Sequence, residues 1–338
     1  MRSTDSVAAM TTPPTASRRD QLVGAKFTAL VGDRVSSGEP PVGIGVGVAM
    51  LRGDTAWVML DGATERGIGP ALAWALRKGA TRLVVLADTG VGALARRAQA
   101  FDFPIEVLAI SGRDLHSVTP EPLATEATVP AAHLAFAATI EAAGAVPVLE
   151  FGVLMGEVAG LEVCRVVDDA NTGLARLDVG VGAHDRETFQ MMHAERPVAE
   201  ALRDVVVYVE QLRAPGVPAH PLNRLAASRL LRARLMADPS ALDLEALLPA
   251  APPTPRLNLK DEVPCAARTP DGSTVVVCST GIDLDAVVFA ADATLRHGAQ
   301  RCLVVVPPRD LVDIQHRLAA LVRIPTQLVA APLAHVSA

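Results

Sequence analysis

The chain has 338 residues, 50% of them hydrophobic but only 3% aromatic, and a net charge of −6. That length accommodates two or three domains with cores of Val, Leu, Ala and Ile, and the acidic balance argues against a general polyanion-binding surface while leaving room for a local basic groove. No uncharged apolar run reaches the roughly 18 residues of a membrane span, and the start, MRSTDSVAAMTTPPTASRRD, lacks the long apolar stretch of a secretory signal. A cytoplasmic location is therefore expected. The four scattered cysteines (Cys164, Cys265, Cys278, Cys302) form no CxxC pair and read as reduced, buried thiols.

Residues 1–20, rich in Ser, Thr and Pro, predict a disordered tail. An N-terminal α/β unit follows over 21–116. Val42 to Leu51 and Thr55 to Leu60 read as strands joined at Arg52-Gly53-Asp54, with Gly43, Gly45 and Gly47 on one face as if something approached it closely. Gly69-Pro70 opens a helix, Arg82 to Asp88 is a strand, Val91 to Ala100 a helix and Ile105 to Ile110 a strand. This β-α-β-α-β order implies parallel pairing through right-handed crossovers.

The middle segment spans 129–237. A helix-like run to Gly144 leads to a strand over Val146 to Leu154, then to strands Leu161 to Val167 and Leu174 to Val181. Between the last two lies Asp168-Asp169-Ala170-Asn171-Thr172-Gly173, which is hairpin chemistry. Asp185 is suited to cap a helix beginning a helical stretch that runs to Ala237. Residues 238–272, with the run PAAPPTP, read as a linker.

The C-terminal unit over 273–338 repeats the pattern of the first: strand Thr274 to Cys278, helix Leu284 to His297, strand Cys302 to Val306, helix Leu311 to Leu321, strand Thr326 to Ala330. Gly79-Ala80 aligns with Gly298-Ala299, Leu83 to Leu86 with Leu303 to Val306, and Pro104 with Pro325. Internal duplication and convergence of α/β spacing both account for this.

With Glu162 on one strand of the predicted hairpin, Asp178 on the other and Glu141 on the preceding helix, the middle segment resembles the core of the restriction-endonuclease-like superfamily, the PD-(D/E)XK nucleases. The resemblance covers about 60 residues. It implies a central α-β-hairpin-α core, and with the two Rossmann-like units read on either side of it the expected fold is α/β. It also implies metal-dependent hydrolysis of phosphodiester bonds, in which Glu162 and Asp178 bind Mg²⁺ or Mn²⁺ through hard oxygen ligands. Glu141 would assist, and His184 would complete the site at the strand end. The triplet, however, is Asp178-Val179-Gly180, and no lysine occurs between Lys78 and Lys260. Arg165, His184 and Arg186 are the candidate substitutes, although an arginine cannot readily act as a base.

Nucleic acid is the implied partner, homo-oligomerisation stays open, and no membrane partner is expected. In the helix predicted over Leu222 to Met236, Arg224, Arg229 and Arg232 share a broad face, and Arg229 and Arg232 are the candidate phosphate contacts. Two alternatives stand beside the nuclease. One is a non-catalytic interaction or scaffold protein with a degenerate core. The other is a nucleotide-binding Rossmann unit, with Gly67 and Gly69 at a phosphate turn and Asp88 on a ribose, although Leu72 stands where a third glycine belongs.

Overall fold

A computed structural model describes residues 18–32, 40–62, 65–192, 196–214, 216–217, 220, 222, 225–254 and 263–332. It is an α/β protein with three sheets, dividing into two compact units. The first comprises Met1–Val91 and Ile105–Val118, and the second Gly92–Pro104 and Thr119–Ala338. Most of the expected tail lies outside the described residues. Its last three positions instead begin a helix, α1 (Arg18–Val31), which the reading of the sequence did not anticipate.

Unit one holds a six-stranded sheet in sequence order: β1 (Val42–Gly43), β2 (Gly47–Arg52), β3 (Thr55–Leu60), β4 (Arg82–Ala87), β5 (Ile105–Ser111) and β6 (Asp114–Ser117). β3, β4 and β5 run parallel, and antiparallel neighbours close both sides. The parallel strands are aliphatic almost throughout, as burial on both faces demands. Phe27, Leu30 and Val31 of α1 cover Met50, Met59 and Leu86, and α2 (Ile68–Arg77) packs on β3 and β4. Of the three glycines expected to admit a close neighbour, only Gly47 has one. A Cβ there would stand 2.0 Å from the Met59 carbonyl, whereas at Gly43 and Gly45 nothing lies within 4 Å.

In unit two, β7 (Val146–Glu150), β8 (Val153–Val158), β9 (Leu161–Asp168) and β10 (Ala175–Val179) form an antiparallel meander. The stretch read as one strand from Val146 to Leu154 is broken at Phe151-Gly152, and a second two-residue turn at Ala159-Gly160 joins β8 to β9. All four of these turn residues have positive φ, the signature of hairpin turns whose twist matches that of the strands. Helices α4 (Ala131–Leu134) and α5 (Ala137–Ala142) precede the meander. α6 (Ala183–Met192), α7 (Val198–Arg213) and α8 (Ala227–Ala237) follow it. α6 begins before Asp185, so this acid lies in the first turn rather than at the cap.

The remaining sheet is β11 (Leu248–Ala250), β12 (Cys265–Arg268), β13 (Thr274–Cys278), β14 (Arg301–Val306) and β15 (Thr326–Ala330), with α9 (Ala286–His297) and α10 (Asp313–Ala320) as crossovers. The stretch read as a linker thus supplies β11 and β12. Its prolines do not exclude it from a sheet, because Pro249 sits on an edge strand.

This sheet has the connectivity of β1 to β5. An antiparallel pair leads into parallel strands, and Thr274 faces Arg301 as Thr55 faces Arg82. Leu83 and Cys302 occupy matching places beside Ala56 and Val275, so the sequence alignment at Leu303 was one residue out of step.

Residues 92–104 belong with unit two for a physical reason. On α3 (Val91–Ala98), Arg96 and Arg97 both grip the buried Asp292 of α9, with Arg97 Nε 2.7 Å from its carboxylate. Just beyond, the Asp102 N–H donates to the Leu321 carbonyl at 2.6 Å and the Arg323 N–H to the Ala100 carbonyl at 2.9 Å.

Candidate functional site: the charged face of the β7–β10 meander

Alternation in a strand sends successive side chains to opposite faces, and β9 breaks that rule at one place. Gly156 pairs with Cys164 and Glu157 with Glu162, which leaves Val163 as an extra residue. The bulge lets Val163 and Cys164 both join Leu161 and Val166 in the hydrophobic core. As a result Glu162 and Arg165, three residues apart, project together from the other face.

β10 adds Arg176 and Asp178 to that face, because Leu177 and Val179 point into the core. Asp178 stands opposite Arg165 in the ladder. β8 contributes Glu157 directly opposite Glu162, and β7 contributes Glu150. The face away from the core therefore carries Glu150, Glu157, Glu162 and Asp178.

Each of these carboxylates is held by arginine. Arg165 forks onto Glu162, with Nε 2.9 Å from Oε1 and Nη2 3.1 Å from Oε2, and Arg186 of α6 donates to Oε1 at 3.0 Å. Arg229 and Arg232, one turn apart on α8, reach Glu157 from both sides. Arg232 Nη2 lies 2.5 Å from Oε2, and Arg229 Nη1 donates to Oε1. Arg229 also donates to Glu150 Oε2 at 2.6 Å. Asp178 accepts from Arg176 Nε at 2.9 Å.

Glu157 and Glu162 are only 4% and 1% exposed, and Arg229 and Arg232 only 3% and 1%. Two carboxylates directly opposite in a ladder would repel, so the surrounding guanidiniums make their burial tolerable. Burial pushes the Glu157 carboxyl up, but Arg232 and Arg229 outweigh it and hold the group below its ordinary value. Burial likewise disfavours the charged Arg229, yet Glu157 and Glu150 raise it well above the usual arginine value.

α8 is two-sided. Its arginines enter the charged face of the meander, while Leu231 and Leu235 enter the core of the β11–β15 sheet with Val276 and Val305. On that sheet, Arg232 Nη1 donates to the Ala266 carbonyl at 3.3 Å. The neighbouring Cys265 thiol would be raised by burial, but a hydrogen bond from Cys278, with Arg232 and Arg229 close by, holds it below the ordinary thiol value.

The structure brings together Glu162 and Asp178 on one face, as the family resemblance requires, and separates the rest of the expected set. Glu141 is exposed on α5, whose Ile140 packs into the core on the opposite face of the sheet. His184 is exposed in the first turn of α6, and Arg186, not His184, reaches Glu162. Arg229 and Arg232 are buried against glutamates rather than displayed for phosphates. Arg224 lies outside the described residues. Among the described residues, no group of three or more His, Cys, Asp or Glu is placed to hold a metal ion.

In unit one, Gly67 is the N-cap of α2, where a Cβ would strike the Leu60 side chain at 2.8 Å, and Asp88 lies 3.9 Å from Lys26. The loop before Gly67 is only partly described, so the expected phosphate turn falls partly outside the described residues.

No protein-family model, curated protein or solved structure matches the chain. No helix among the described residues is long and apolar enough to cross a membrane.

Glu150 and Glu157, which the sequence ranks below the other acids as solvated strand or turn residues, are instead among the most deeply buried of the set. Their signal was present in Glu157-Val158-Ala159-Gly160-Leu161-Glu162. A two-residue turn at Ala-Gly places Glu157 and Glu162 face to face, but alanine is not the Asn or Asp that usually announces such a turn.

Proposed function

We propose that the chain is a non-catalytic interaction protein, in which acids laid out like those of a nuclease form a structural ion-pair network instead of a metal site. The observation that carries this reading is the engagement of both oxygens of Glu157 and both oxygens of Glu162 by guanidinium groups. A divalent cation there would have to displace two arginines and then sit beside their charge.

Gly180 supports the same reading. It stands where the family motif has lysine, its φ is +138°, and a Cβ would lie 2.9 Å from the Arg186 backbone nitrogen, so no side chain fits.

The shared face of Glu162 and Asp178 favours a second reading, a nuclease in which these two carboxylates hold Mg²⁺ or Mn²⁺ once the arginines have moved. Calorimetric titration of the full chain with MnCl₂ and MgCl₂, beside cleavage assays on single- and double-stranded DNA and RNA, decides between the two. The interaction reading expects neither saturable heat nor cleavage. Saturable Mn²⁺ binding with cleavage that Asp178→Ala abolishes overturns it in favour of the hydrolase.

A further inference from the structure

A strand at the edge of a sheet exposes unpaired N–H and C=O groups, and proteins guard such edges with short strands, proline, charge or bulges. The three sheets of the described residues end on β1, β6, β7, β10, β11 and β15. β1 has two residues, and β6 has four including Asp114. β7 contains Pro147, β10 contains Arg176 and Asp178, and β11 has three residues centred on Pro249. β15 is the exception. Thr326-Gln327-Leu328-Val329-Ala330 is five residues long, has no charge and no proline, and pairs in unbroken register with β14.

The hydrogen bonds at the two ends of β15 fix which groups face outward. The Pro325 carbonyl accepts from the Cys302 N–H at 2.9 Å, and the Ala331 N–H donates to the Val306 carbonyl at 3.0 Å. In a parallel ladder such residues alternate, so Gln327 and Val329 also face β14. The backbone N–H and C=O groups of Thr326, Leu328 and Ala330 therefore face away from the sheet. In unit one the strand at the matching place, β5, has this same edge closed by β6 in antiparallel pairing. That shows what the edge of this fold accepts.

We propose that β15 is a self-association surface, on which two copies of the chain pair β15 to β15, antiparallel, about a two-fold axis at Leu328. Leu328 then stands opposite Leu328 of the other copy, and Thr326 opposite Ala330. Each outward N–H meets an outward C=O, and the two five-stranded sheets become one. A second copy is the fitting occupant because the outward pattern is symmetric about Leu328. The strand is also uncharged, so no like charges meet at the axis. The pairing goes beyond the interaction reading and does not depend on it, since self-association and metal binding are measured separately.

Sedimentation equilibrium of the full chain over a concentration series tests the proposal, with Ala330→Pro and Gln327→Lys as variants. Ala330→Pro deletes an outward N–H and leaves the bonds to β14 in place. Gln327→Lys changes only an exposed side chain and introduces the charge other edges carry. A dimer is expected, with the dissociation constant raised at least about tenfold in each variant at unchanged circular dichroism. If Ala330→Pro does not fold, Gln327→Lys alone decides. A chain that stays monomeric up to about 100 µM, or a dimer indifferent to the folded variants, overturns the proposal.

Discussion

The two faces of the β7–β10 meander are built on opposite principles. One carries Leu154, Leu161, Val163, Cys164, Val166, Leu177 and Val179 against Leu202, Val206 and Val209 of α7. The other carries Glu150, Glu157, Glu162 and Asp178 with their arginines. Both are largely dry, yet they respond differently to damage. Deleting part of the apolar face costs the contacts removed and the cavity left behind. Deleting one member of the charged face also strands its partners as unpaired buried ions.

The largest expected effect breaks the charged face from one side. Glu157→Ala leaves the two buried guanidiniums of Arg229 and Arg232 with Glu150 as their one remaining carboxylate and should lower unfolding stability in urea by about 4 kcal/mol. Leu161→Ala, on the apolar face of the adjacent strand, should cost about 3 kcal/mol.

The same contrast appears in pH dependence. Glu157 has a folded-state pKa below its ordinary value of 4.5, because Arg232 and Arg229 overcome the effect of burial. Its contribution is therefore fully present above the unfolded value and is lost as pH falls through the folded one. Urea midpoints should drop on acidification below about pH 4.5, and Glu157→Gln should flatten that slope. An unchanged slope would remove Glu157 from the acid response.

Replacing the whole cluster sharpens the comparison further. If the charged face is a scaffold and not a site, exchanging Glu150 and Glu157 for Leu and Arg229 and Arg232 for Met together should leave stability within about 1 kcal/mol of the original or raise it. A loss as large as that of Glu157→Ala alone would mean that α8 needs its ion pairs to seat between the meander and the β11–β15 sheet.

The apolar face was legible in the sequence and the charged one was not, for reasons of range. Short apolar runs bounded by turn residues mark strands locally, so β3, β13 and β15 stand where the sequence places them. Alternation also put Glu162 and Asp178 opposite their apolar neighbours. Nothing local says that Arg229, 67 residues beyond Glu162, arrives on the same face, because an arginine bound for a buried glutamate and one bound for solvent occupy similar helical patterns. The bulge at Val163 was hidden as well. Strict alternation through Glu162-Val163-Cys164-Arg165 would send the two charges to opposite faces, and nothing local says that one extra residue brings them together.

The smallest expected effect concerns the turn that sets Glu157 against Glu162. Ala159 has φ +44° there, a left-handed conformation that costs a residue with a Cβ about 1 kcal/mol. Its carbonyl accepts from Arg213 Nη1 at 2.7 Å, and a Cβ on the following Gly160 would lie 2.3 Å from the backbone of Arg229. Neighbouring structure thus dictates the turn, and the alanine conforms to it. Ala159→Asn suits the left-handed region better and keeps the carbonyl in place. It should raise stability by about 0.5 kcal/mol without altering the response of Glu157 to acid. Destabilisation instead would show that the methyl of Ala159 contributes packing beside α8 that outweighs the relief of its backbone.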